Sequence, residues 1–229
     1  MNNELKYIKG TSQNKKIKHL GSFYHSGIKV YVKDELPESV DVSRCLDYIF
    51  SKMPPFFYSK VKSIQIGNFI ILQQRKLDAV YDNGIIYLST NQEDDEYFIS
   101  SIVHEIAHSF EEEYGESLYD DKTIENEFLS KREQMFRTLE SQNLIPSYIT
   151  REDFYNMNYD IRFDKYLYKD IGYEKLWYLL KNVFISPYAA TSKREYFANA
   201  FECFFVHDIK EVEKISKNIY NKIVQYLEV

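Results

Sequence analysis

The sequence predicts an α+β fold in which a small mixed α/β sheet subdomain comes first and a mainly helical subdomain follows. Strand-like alternation is confined to the region before Asp94, Asp82-Asn83-Gly84 gives a hairpin signal within it, and beyond Asp94 apolar residues recur at three- and four-residue intervals. A polar arm is expected over 1–24 and one domain over 25–229, divided into 25–115, which includes the first long helix, and 116–229. No internal repeat, low-complexity block or Gly/Ser linker separates the halves, so they should pack as one unit around a cleft.

The elements follow in order. Ile28-Lys29-Val30-Tyr31-Val32 alternates as a half-buried strand, and Pro37 with 38–41 opens a helix carrying Cys45, Leu46, Ile49 and Phe50, which Met53-Pro54-Pro55 stops. Short apolar runs at 64–66 and 69–72 come next, then runs at 77–81 and 85–88 on either side of the hairpin turn. Asp94 and Asp95 can cap a helix over 95–114, whose apolar stripe is Phe98, Ile99, Ile102, Val103, Ile106, Ala107 and Phe110, with Gly115 as its C-terminal cap. Further helices are expected over 123–141, at a short segment opened by Thr150-Arg151-Glu152-Asp153, over 173–183, over 192–206 and over 208–227. In the last of these Ile209, Val212, Ile215, Ile219 and Ile223 form the buried stripe.

At 44% hydrophobic and 28% charged residues the chain is neither disordered nor membrane-spanning in composition. Its net charge of -6 argues against nucleic acid as a partner, and Lys15-Lys16-Ile17-Lys18 reads as a solvated arm. Cys45 and Cys203 lack Cys-x-x-Cys spacing and read as buried free thiols. The excess of 21 Tyr and 16 Phe over a single Trp is assigned to core packing. The N-terminal residues lack an apolar core and a cleavage site, which predicts a cytoplasmic chain. Nothing in the sequence indicates an oligomeric state.

His104-Glu105-Ile106-Ala107-His108 is the segment richest in chemistry. Two imidazoles four residues apart share one face of a helix and can bind a single Zn2+, with Glu105 beside it as a general base. A catalytic zinc takes a third protein ligand from a later segment. After His108 the chain reads Ser109-Phe110-Glu111-Glu112-Glu113-Tyr114, which lacks the metzincin continuation. Glu195 and Glu202 stand out downstream because their helix is otherwise rich in Ala and Phe; Ser192-x-x-Glu195 also matches a capping box. A sheet edge within 78–89 could hold an extended peptide across the metal.

The segment Tyr188-Ala189-Ala190-Thr191-Ser192-Lys193-Arg194-Glu195-Tyr196-Phe197-Ala198-Asn199-Ala200-Phe201, with His104 to His108 upstream, resembles the catalytic domains of the anthrax lethal factor and Pro-Pro endopeptidase family. The resemblance implies a zinc metalloendopeptidase acting on a protein or peptide substrate, with one Zn2+ held by His104, His108 and Glu195. It further implies that Tyr188 hydrogen-bonds the developing oxyanion; Glu202, singled out by its helix, is the reserve ligand. Relatives are commonly exported, so secretion is the alternative location. Two departures stand out: Asn199 occupies a position that is often acidic in the family, and the segment between His108 and Glu195 is long. The alternative function is a toxin-like binding module that keeps the fold without useful hydrolysis.

Overall fold

The computed structural model describes residues 20–75 and 77–228. Its sheet is built from β1 (Gly21–His25), β2 (Ile28–Val32), β3 (Ser63–Ile66), β4 (Ala79–Asp82) and β5 (Ile85–Leu88), in the order β1-β2-β3-β5-β4. The central pairs β2/β3 and β3/β5 are parallel, and the outer pairs β1/β2 and β4/β5 are antiparallel. In β2, Ile28, Val30 and Val32 point into the core while Lys29 and Tyr31 face solvent, the alternation expected of a sheet covered on one face. The turn between β4 and β5 is two residues long, with Asn83 at φ 50 and Gly84 at φ 89, the left-handed pair that matches strand twist in a tight hairpin.

Helix α1 (Val42–Lys52), capped by the Asp41 side chain, buries Cys45, Leu46 and Ile49, and it is followed by α2 (Ile70–Arg75). The chain then enters α3 (Asp95–Tyr119), capped by Asp94, whose Phe98, Ile102, Val103, Ile106, Ala107 and Phe110 join the sheet's inner face in one apolar cluster. Beyond it lie α4 (Thr123–Ser141), a 3₁₀ turn (Arg151–Phe154) with the Thr150/Asp153 capping box, and α5 (Ile161–Lys165), which runs into a π-helical turn (Tyr166–Ile171). Last come α6 (Tyr173–Leu179), a 3₁₀ turn (Tyr188–Ala190), α7 (Lys193–Val206), α8 (Ile209–Ile215) and α9 (Lys217–Leu227). The most extensive helix pairing is α3 with α7, where Phe110 meets Phe197 and Phe201 at ring separations of 6.3 Å.

Several expectations need correction. The sheet begins inside the segment expected as a polar arm, because Gly21 to His25 pair with β2; residues 1–19 of that arm, including the lysine cluster, lie outside the described residues. The run 69–72 is the start of a helix, with Leu72 buried and Ile70 exposed. Gly115 does not end α3: a Cβ there would meet only the Glu111 Cγ at 4.0 Å, and the helix continues to bury Leu118 and bring the Tyr119 hydroxyl onto Glu111. Helix α6 stops at Leu179, with Asn182 in the left-handed region just beyond. The last helix is broken at Ser216. There the Lys131 ammonium takes the Ile215 carbonyl, and Glu127 takes the Asn218 N–H. Ile209 is exposed and leaves the stripe to Val212, Ile215, Ile219 and Ile223.

Cys45 and Cys203 are buried free thiols. Phenylalanines such as Phe98, Phe110, Phe128 and Phe201 fill the core as expected, but Tyr148, Tyr155, Tyr159 and Tyr168 face solvent. No helix among the described residues is long and apolar enough to cross a membrane.

Candidate metal centre

Helical spacing places His104 and His108 one turn apart on α3, with ring centroids 4.9 Å apart and both side chains largely buried. The partner helix α7 opens at Ser192, whose hydroxyl accepts the Glu195 N–H at 3.1 Å. Only this half of the predicted capping box forms. The Glu195 carboxylate turns instead toward the histidines, with Oε2 3.0 Å from Nε2 of His104 and Oε1 3.5 Å from Nε2 of His108. Among the described residues, His104, His108 and Glu195 form the one group of three whose ligand atoms all lie within 4.8 Å of one another.

Two neutral imidazoles and a carboxylate, converging from two helices, suit Zn2+ as a donor set, and a site with three protein ligands leaves a position for water. Burial works against the His104 cation, but hydrogen bonds to Glu195 and Glu202 outweigh it and raise its pKa well above the ordinary imidazole value. Burial likewise opposes the Glu195 carboxylate, yet the two histidines hold its pKa far below the usual carboxylate range. The Glu195 anion and the His104 ring thus stabilise each other's charged forms.

The centre forms the floor of an open cleft of about 1920 Å³. One wall is β4, the outermost strand of the sheet. The Ser89 N–H bonds the Asp78 carbonyl, and the antiparallel register alternates from there, so Ala79 and Tyr81 turn their backbone groups outward. The Tyr81 N–H donates to Glu105 Oε2 at 2.6 Å, which fixes the buried Glu105 carboxylate beside the histidine–glutamate cluster. The peptide edge expected within 78–89 thus narrows to β4, since β5 is paired on both sides.

The opposite wall comes from the segment between α4 and α7. There Asp164 accepts the Tyr159 hydroxyl at 2.7 Å and the Tyr173 hydroxyl at 2.8 Å. The Tyr173 ring lies 6.4 Å from that of Tyr188, which in turn lies 6.5 Å from His104. Burial first, and then the Glu195 charge, raise the Tyr188 phenol pKa far above its ordinary value, so Tyr188 stays protonated and able to donate.

The residues given ligand or catalytic roles from the sequence, His104, Glu105, His108, Tyr188 and Glu195, all line this cleft. The reserve ligand Glu202 lies behind His104, with Oε2 3.1 Å from Nδ1. Asn199 hydrogen-bonds neither histidine; it donates to the Glu195 carbonyl and accepts from Ser186. Sequence reasoning missed Arg194, whose Nε lies 3.0 Å from His108 Nδ1, and Glu111, whose Oε2 is 4.0 Å from the same atom. Glu111 was signalled by its place three residues after His108 on one helix face. The Asp164 tyrosine pair had no local signal, because Tyr159 precedes α5, Asp164 lies within it and Tyr173 opens α6.

Comparison with family models, with curated proteins and with solved structures finds no match.

Proposed function

We propose that this chain is a zinc-dependent endopeptidase of the lethal-factor and Pro-Pro endopeptidase type, acting on extended protein or peptide substrates. The observation that carries the reading is the Glu195 carboxylate, which leaves its available helix-capping role to reach the Nε2 atoms of both histidines. When bound, the zinc would polarise the scissile carbonyl and make a water molecule more acidic. An extended substrate laid along β4 can use the outward backbone groups of Ala79 and the Tyr81 carbonyl, the Tyr81 N–H being engaged by Glu105. Glu105, anchored through one oxygen, accepts a proton from the attacking water and returns it to the leaving amine. Tyr188, held in its protonated form, donates a hydrogen bond to the oxygen where negative charge develops.

The experiment pairs zinc content with cleavage of a diverse peptide library for the parent and Glu105→Gln. Retained zinc with cleavage slowed by about 10²–10⁴ supports the base role; equal rates would remove Glu105 from the mechanism. A second reading, a binding module without useful hydrolysis, draws on the short contact between Glu105 and Tyr81, which ties up the proposed base. A zinc-loaded parent that retains peptides without cutting any of them would favour it.

A further inference from the structure

Resting on the zinc reading above, we propose that Glu202, steadied by His207, is the positioning residue that presents Nε2 of His104 to the metal. An imidazole that ligates through Nε2 must carry its proton on Nδ1, and a carboxylate accepting that proton fixes both the tautomer and the ring plane. Glu202 Oε2 lies 3.1 Å from His104 Nδ1, on the side of the ring opposite the nitrogen that faces Glu195.

Glu202 reaches this place because it follows Glu195 by two helical turns on α7, so the ligand and its support share a face. Its other oxygen, Oε1, lies 3.4 Å from Nε2 of His207, the residue that caps the end of α7. His207 Nε2 in turn lies 3.1 Å from the Ser100 hydroxyl on α3, one turn before His104. The chain His207–Glu202–His104 thus ties the far end of α7 back to the metal-binding turn of α3. Direct ligation by Glu202 does not fit, because it bonds the nitrogen that faces away from the converging ligand atoms.

The test is zinc affinity, measured by competition with a chromophoric chelator on the full chain, for the parent, Glu202→Gln, Glu202→Ala and His207→Gln, with metal-free melting recorded for each. Loss of second-layer support to a ligating histidine lowers metal affinity by about 10–100-fold. That drop is expected in Glu202→Gln at unchanged metal-free melting, with one zinc per chain at saturation and an unchanged cobalt-substituted absorption spectrum. His207→Gln should give a smaller drop in the same direction. If Glu202→Ala fails to fold, the near-isosteric Glu202→Gln carries the test. Parent-like affinity in the Glu202 variants overturns this proposal alone. A cobalt spectrum in Glu202→Gln that shows the loss of a protein ligand overturns it by making Glu202 a ligand. A folded parent that binds no zinc overturns both this proposal and the zinc reading.

Discussion

Helices α3 and α7 meet at the candidate metal centre but hold their contributions in different ways. On α3 the two histidines sit in the middle of a long helix, with Ile102, Val103, Ile106 and Ala107 buried around them, so periodicity sets the face from which they leave the helix. On α7 the glutamate sits in the first turn, where direction depends on the Ser192 cap and on what braces the helix start. That brace comes from neighbouring helices: the Lys193 ammonium lies 3.7 Å over the Tyr119 ring and 2.8 Å from Glu125. The difference teaches that one half of the centre is set by core packing and the other by polar contacts at a helix end.

Four substitutions sharpen or break this contrast. Glu195→Ala should have the largest effect, reducing bound zinc per chain in elemental analysis from one to near none; full retention would show that α7 is not part of the centre. Ile106→Ala should cost about 2–5 kcal/mol in denaturant unfolding through a cavity under α3. Zinc affinity of the folded Ile106→Ala protein should be unchanged, and a large drop there would break the idea that the folded helix needs no further core packing to direct both histidines to the centre. Tyr188→Phe should slow turnover on the order of 10²-fold while zinc content stays at the parent level. Ser192→Ala should cost only about 1 kcal/mol of stability. Its informative readout is zinc affinity, which should weaken because Glu195 loses its anchored first turn; an unchanged value would mean the histidines alone orient the carboxylate.

The same contrast explains what could be read from the sequence. Helix α4 matched its expected span, and the hairpin turn was legible because Asn83-Gly84 has few other conformational uses. His104, His108 and Glu105 were legible as a single-helix motif and Glu195 and Glu202 as carboxylates on an Ala- and Phe-rich helix, whereas the choice of Glu195 and of Tyr188 required the family resemblance. Gly115 misled because glycine permits a helix end without requiring one, and Leu118 and Tyr119 still had partners to reach. Strand β1 lacked a clear apolar alternation, since its place at the sheet edge leaves most of it exposed. The wall around Asp164 was invisible for a different reason: its hydrogen bonds join α5 to the segment before it and to the start of α6, and no residue spacing encodes such contacts.

The pairing of His104 with Glu195 joins points 91 residues apart in the chain. The two cysteines are free, so an ion shared by these residues would act as a cross-link in a protein that has no disulfide among its described residues. By loop entropy, a permanent tie of that span disfavours the unfolded chain by about 4–5 kcal/mol. An ion bound there would close α4, the tyrosine-lined wall and α6 into a single ring of polypeptide, so chelation would release the mechanical coupling of that whole ring as well as the chemistry at its clasp.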